Sequence, residues 1–191
     1  MKDKLREIQQ LYQYLQSIQV SVKTITHPEV VSCEESKKHY DMLGYDEEQY
    51  GLCKNIFIRD KKGKNFWLVI VDYRKKIDME ELREVLGTRR LGFATSDDLS
   101  RILGVQSGSV SLFSVINDKD SKVKVVIDED LMQKPSLAFH PNYSGLTSFI
   151  SSRDALRFLM SMDNEYAILD VPSKEYKMEE ETMVKRLAYN S

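Results

Sequence analysis

Lysine and asparagine stand side by side at Lys54-Asn55, where a polar loop gives way to the apolar run Ile56-Phe57-Ile58. A lysine and an amide at the start of a buried strand are fixed by the sheet instead of moving in solvent, so the pair is placed to hold a charged or polar group of a substrate. A second stretch with chemical potential is Gly104-Val-Gln-Ser-Gly-Ser-Val-Ser-Leu-Phe113, whose small residues let backbone amides come close to a ligand. Gly108 within it serves either a ligand or simply a positive φ. Ser107, Ser109 and Ser111 have no paired base, which argues against a hydroxyl nucleophile. His140, just before Pro141, is either a pocket histidine or a satisfied core or turn histidine.

Other reactive side chains fit less well. Lys54 would lower the pKa of the neighbouring Cys53 thiol, but alternation along a strand sends adjacent side chains to opposite faces, away from a shared pocket. His27, Cys33 and His39 straddle a loop and a helix without an accepted ligand spacing, so no metal site is expected. Phe66, Trp67, Tyr12 and Tyr14 read as packing and surface aromatics and not as base-stacking platforms.

The elements that must position these residues can be read in order. Leu5, Ile8, Leu11, Leu15 and Ile18 recur every three or four residues and make an amphipathic helix ending near Gln19. Residues 20–26 alternate like a strand that His27-Pro28 breaks. Ser32-x-x-Glu35 has capping-box spacing and opens a helix over 33–43. Residues 53–60 and 66–71, β-branched and aromatic runs around the turn Lys61-Lys-Gly-Lys-Asn65, read as a hairpin with Lys54-Asn55 at its mouth. Met79, Leu82, Val85 and Leu86 form a helix that stops at Gly87, and Leu91-Gly-Phe93 is a short strand. Thr95-Ser-Asp-Asp98 caps a helix that stops at Gly104. Strands follow at 123–127, 136–140, 146–150 and 166–171, with a helix after Ser151-x-x-Asp154. Glu179 to Glu181 ahead of Lys185-Arg186 suit a terminal helix through its dipole. Interspersed helices and hairpins predict a mixed α/β fold, a mixed sheet with peripheral helices.

The 191 residues, 41% hydrophobic and 30% charged, suffice for one ordinary domain. The charged start, Met1-Lys-Asp-Lys, resembles no signal peptide, and no apolar run approaches the roughly 20 residues of a membrane span, so a cytoplasmic protein without membrane contact is expected. Cys33 and Cys53 are expected as free thiols. A net charge of −2 excludes a wholly basic nucleic-acid binder. Basic clusters at Lys61-Lys-x-Lys64, Arg74-Lys-Lys76 and Arg89-Arg90 each read as solvated loops, yet together could form one patch for a phosphate backbone.

The series Lys54-Asn-Ile-Phe-Ile-Arg-Asp60, Leu86-Gly-Thr-Arg-Arg-Leu-Gly-Phe-Ala94, Leu103-Gly-Val-Gln-Ser-Gly-Ser-Val110, Val115-Ile-Asn-Asp118, Val125-Val-Ile-Asp128 and Phe139-His-Pro-Asn142 resembles the YbaK/ProX prolyl-tRNA editing family, in order, over approximately residues 11–171. The resemblance implies a single editing domain at 1–171, built on a central, largely antiparallel twisted sheet, with residues 172–191 as an extension. It implies a trans-editing deacylase that hydrolyses mischarged tRNA, alanine on proline tRNA in the ProX branch, with prolyl-tRNA synthetase as a further partner. Lys54 and Gly108 would then act in catalysis, and Asn55, Ser109, His140 and Asn142 in substrate binding. The substrate's own 2′-hydroxyl would help activate water, with no cofactor and no metal. Two departures stand out. Leu112 takes the place of the proline of the family's G-x-x-x-P loop, so that the loop is held by packing, or substrate choice is altered, or activity is reduced, the last leaving a noncatalytic binding module of the same fold. Tyr143-Ser-Gly145 follows Asn142 where relatives carry further Asp, Asn or Thr.

Overall fold

The hairpin of residues 50–72, in the first half of the sequence, forms the middle of the sheet. The structure, a computed structural model, describes residues 2–30 and 32–174. Its strands are β1 (Val22–Thr26), β2 (Tyr50–Asp60), β3 (Phe66–Asp72), β4 (Leu91–Phe93), β5 (Val123–Asp128), β6 (Ser136–Phe139), β7 (Leu146–Ser151) and β8 (Tyr166–Leu169). Its α-helices are α1 (Lys2–Ser17), α2 (Cys33–Met42), α3 (Met79–Val85), α4 (Ser96–Asp98), α5 (Glu129–Met132) and α6 (Ser152–Met160). Of the extension expected at 172–191, in which a terminal helix was expected, residues 175–191 lie outside the described residues.

β2 and β3 pair antiparallel with Cys53 opposite Asp72 and Arg59 opposite Phe66. Asp60 closes their turn: its carboxylate accepts the Lys64 N–H at 2.9 Å and the Asn65 side-chain amide at 2.7 Å, while Gly63 takes φ +63. Strand order is β1-β7-β6-β2-β3-β5-β8, with β4 also on β2. β2 runs parallel to β6, and β3, β5 and β8 run parallel to one another, whereas the other pairs are antiparallel, so the sheet is mixed.

Both faces of β3 are buried. Phe66, Leu68 and Ile70 join the main core with Leu11 and Leu15 of α1 and Phe158 and Leu159 of α6, while Trp67, Val69 and Val71 pack with Leu82 of α3. A third cluster joins Tyr40 of α2 to Tyr50, Leu52, Ala138 and Phe149. Alternation along an unbroken apolar run is the signature of a strand covered on two sides.

β2 begins at Tyr50, three residues earlier than the sequence reading, so Lys54 and Asn55 lie within the strand and not at its mouth. The strand's second residue is Gly51, a type that usually weakens strand interiors. A Cβ there would stand 2.9 Å from Leu131 Cδ2 and 3.1 Å from Leu137 Cδ2, so this glycine is required by close packing inside a strand. Ser32 caps α2 as its spacing indicated, accepting the Glu35 N–H at 3.2 Å.

The loop after Gly104 ends in a 3-10 helix, Leu112–Asn117, which the sequence reading missed. Ser111 caps it, accepting the Phe113 N–H at 3.2 Å, while the Ser114 hydroxyl accepts the Ser111 N–H at 3.0 Å. Leu112 is the first helical residue and is fully buried in the main core. The loop is thus held by packing at the position where the family has proline. Leu112→Ala is therefore expected to destabilise the protein by about 3 kcal/mol, read as a lower midpoint in urea denaturation; an unchanged midpoint would show that the loop is not seated by this side chain.

Candidate active site

The neighbour of β2 on one edge changes along its length. β6 covers Tyr50 to Leu52 and β4 covers Ile58 to Asp60, so Cys53 to Phe57 have no strand beside them on that edge. The Phe57 carbonyl accepts the Ala94 N–H at 3.0 Å on that side. Backbone groups alternate in direction along a strand, so Asn55, two residues away, turns its own N–H and C=O toward the same bare edge. β3 holds the other edge throughout.

A cavity of about 430 Å³ fills the gap, within the usual range for small-ligand sites. Its walls include Ser32, Cys33, Ser36 and Tyr40 from α2 and its cap, Phe93 at the end of β4 with Ala94 and Leu99 beyond it, Ser107, Gly108 and Val110 of the small-residue loop, and His140. Lys54 and Asn55 both line it. Alternation puts Lys54 on the side of Leu52 and Ile56, and Asn55 on the side of Cys53 and Phe57. They reach one cavity because it opens at the strand's edge and takes in both sides.

Each has a distinct chemical state. The Lys54 ammonium donates to the Lys75 carbonyl at 2.5 Å, leaving further N–H bonds to offer. Lys75 is itself held: its ammonium lies 2.7 Å from Asp128 Oδ1 and 3.0 Å from Asp170 Oδ1, at 13% side-chain exposure. Burial opposes the charge on Lys75, but hydrogen bonds to Asp128 and Asp170 outweigh it and raise its pKa. Burial likewise pushes the fully enclosed Asp128 carboxyl up, against the pull of Lys75. Asn55 Oδ1 is buried with no hydrogen-bond partner. Such an acceptor costs about 1 to 3 kcal/mol unless a ligand supplies the donor.

Gly108 adopts φ +87, with open space where a Cβ would stand, so the chain turns there with its backbone accessible. His140 Nδ1 lies 2.7 Å from the Leu146 carbonyl. A carbonyl only accepts, so Nδ1 carries the proton and Nε2 is left as an acceptor in the neutral ring. Burial, helped by His27, lowers the His140 pKa. The His27 ring is 5.9 Å away, and the same wall carries Tyr40, whose hydroxyl lies 2.8 Å from Thr147 Oγ1.

Two expected residues are elsewhere. The Ser109 N–H closes a turn on the Gln106 carbonyl at 3.1 Å, and Ser109 does not line the cavity. Asn142, at φ +59, accepts the Ser114 hydroxyl at 2.9 Å and lines a different cavity beside Asn117 and Asp118. Both were chosen by their place in a motif, but each serves the turn it sits in. Cys53 is turned into the core, its thiol donating to Gly51 O at 3.5 Å, and burial raises its pKa, so the thiolate reading fails on desolvation. Both cysteines are free. Among the described residues no cluster of His, Cys, Asp or Glu is set to hold a metal ion. Phe93, Ala94 and the start of α2 were missed. The signal for them was the short Leu91-Gly-Phe93 strand, which is too brief to cover β2 beyond Ile58.

A model of the aminoacyl-tRNA editing domain matches residues 27–158. The chain belongs to that family and is an aminoacyl-tRNA deacylase. It is similar to the prolyl-tRNA editing protein ProX of Acetoanaerobium sticklandii, 31% identical over 82% of this chain and 93% of that one. It is also similar to the mouse prolyl-tRNA synthetase associated domain-containing protein 1, 30% identical over 84% and 94% of the two chains. The fold matches a crystal structure of a protein assigned as a trans-editing enzyme for prolyl-tRNA synthetase, with TM-score 0.66 at 16% identity over 87% of this chain and 97% of that one.

The state of His140 has a measurable consequence. Its folded pKa lies below the ordinary 6.5, so the folded protein binds fewer protons than the unfolded chain. The stability it contributes is complete above the unfolded value and is lost as pH falls through the folded one. In thermal melts, acidification is expected to lower the Tm of the wild type more than that of His140→Gln; equal losses would refute a buried neutral imidazole.

Proposed function

We propose that the protein is a trans-editing enzyme that hydrolyses alanine from mischarged proline tRNA. The observation that carries this is that Lys54, Asn55, Gly108 and His140, far apart in the chain, line one cavity in which a buried amide oxygen lacks a partner. Alanine follows from the family resemblance, and proline tRNA is supported by the names of the relatives, which also motivate prolyl-tRNA synthetase as a partner. The reading places the protein in the cytoplasm, where tRNA is charged. Among the described residues no helix is long and apolar enough to cross a membrane. The editing domain is assigned to residues 1–171, and the extension from 172 begins against it, the Asp78 N–H donating to Pro172 O at 2.8 Å.

In this mechanism water attacks the ester carbonyl, the new C–O bond forms, and the bond to the ribose oxygen breaks as that oxygen takes up a proton. The neighbouring ribose hydroxyl orients the water and relays a proton, taking one from the water as it gives its own to the departing ribose oxygen. Negative charge on the carbonyl oxygen is met by the free N–H bonds of Lys54 and by backbone amides at the bare edge of β2 and at Gly108. The orphaned Asn55 oxygen accepts from the substrate's α-ammonium group. His140, neutral and fixed through Nδ1, bounds the amino-acid site without adding a like charge. Ser109 and Asn142 have no part in it. A noncatalytic module drew its motive from Leu112, and with that residue seated in the core no feature of the loop favours it.

Deacylation of alanyl-tRNA(Pro) by Lys54→Ala is expected to fall about 100-fold or more, and the wild-type rate to survive a chelator. Equal, measurable rates for wild type and variant would remove the mechanism. Binding of an aminoacyl-adenosine analogue without hydrolysis of any candidate tRNA would remove the enzyme and leave the module.

A further inference from the structure

Phe93 is a large aromatic that folding leaves uncovered. Its side chain is 71% exposed at the rim of the cavity, although it lies in a strand. The register explains which way it faces. Phe93 stands opposite Ile58, so the two share a face of the sheet, and alternation puts Ile56 and Lys54 on that same face. From Ile58 back to Lys54 is four residues, about 13 Å along the strand. An aromatic ring and an ammonium group therefore stand at the two ends of one short track.

The same pairing gathers charge behind the ring. Leu91 lies opposite Asp60, which sets Arg89 and Arg90 beside the turn that carries Lys61, Lys62 and Lys64. All five are exposed, and among the described residues none is in an ion pair. The nearby carboxylates are already engaged: Asp60 in the turn, and Asp98 with Arg59 and Arg101, each at 3.0 Å. On a chain whose net charge is −2, this is a local surplus of positive charge with an aromatic between it and the cavity.

We infer that this strip is the seat of the single-stranded 3′ end of the RNA, with the terminal base stacked on Phe93 and the preceding phosphates on the Lys61–Lys64 turn and Arg89-Arg90. Base stacking on an aromatic and phosphate neutralisation by unpaired cations are the two terms that hold single strands without reading sequence. The inference rests on the editing reading for the identity of the RNA, and it goes further in naming the surface and the contacts. It leaves the reading of Phe66, Trp67, Tyr12 and Tyr14 as packing and surface aromatics in place and adds Phe93, which that reading did not weigh.

The test uses an uncharged RNA hairpin ending in single-stranded CCA, followed by fluorescence anisotropy across a salt series. With no amino acid present, the result does not depend on hydrolysis, so the failure of the deacylase reading and the failure of this one are separable. Phe93→Ala is expected to weaken binding about tenfold, and Phe93→Trp to retain it; the exposure of the side chain leaves the fold intact, which circular dichroism verifies. The double variant Lys62→Gln, Arg90→Gln is expected to reduce the slope of log affinity against log salt by about 1.4, roughly 0.7 for each phosphate contact on a single strand. Phe93→Ala binding within about twofold of wild type, an unchanged salt slope, or equal binding of a blunt-ended hairpin would each overturn the proposal.

Discussion

The structure turns on an unfinished edge. Five residues of a central strand, Cys53 to Phe57, are paired on one side by β3 and on the other by nothing that continues the sheet. Unpaired backbone groups within a sheet are costly when buried and invite a further strand when exposed. Here both hazards are contained, because α2 and the segment from Ala94 to Val110 roof the gap without filling it. The result is a slot whose floor presents peptide groups in fixed directions. Any polar ligand that enters meets donors that folding has already oriented, so little ordering remains to be done on binding.

What steadies that floor is the far side of β3. Lys54 leans on the carbonyl of Lys75, and Lys75 is tied by its ammonium to Asp128 at the end of β5 and Asp170 after β8. Asp128 Oδ1 also accepts the Val171 N–H at 3.0 Å, so one carboxylate joins the parallel strands to the loop beneath the site. Buried ion pairs are weak arguments for net stability, since desolvation offsets their attraction. Their directionality is a better account of this one: the hydrogen bonds give the Lys75 carbonyl, and with it Lys54, one place to be.

The sequence carried much of this, unevenly. The β-branched and aromatic run Phe66 to Val71 beside its turn identified β3, and Ser32, Thr95 and Ser151 announced the helices they cap, because these signals are local. Lys54, Asn55, Gly108 and His140 were legible as a set through their motifs, though their meeting at a bare strand edge was not, since it depends on which strand pairs with which across more than 80 residues. Gly51 hid the first turn of β2 because the reason for it is Leu131 and Leu137, contacts no window of sequence contains. Asn142 and Ser109 stand outside this cavity, each engaged in its own turn, which their place in a motif did not indicate.

Leu112 shows how a motif can be broken in letter and kept in physics. Proline at the first position of a helix fixes φ and gives up an N–H that has no helical partner there. Leucine supplies neither constraint, but in this chain it drops a fully buried side chain into the main core beside Phe113, and the Ser111–Ser114 pair holds the turn from the polar side. Packing and capping thus restrict the backbone from two directions at the point where proline would restrict it covalently. The cost falls on the core, which must now accommodate Leu112, and not on Gly108, whose backbone stays accessible at the cavity wall.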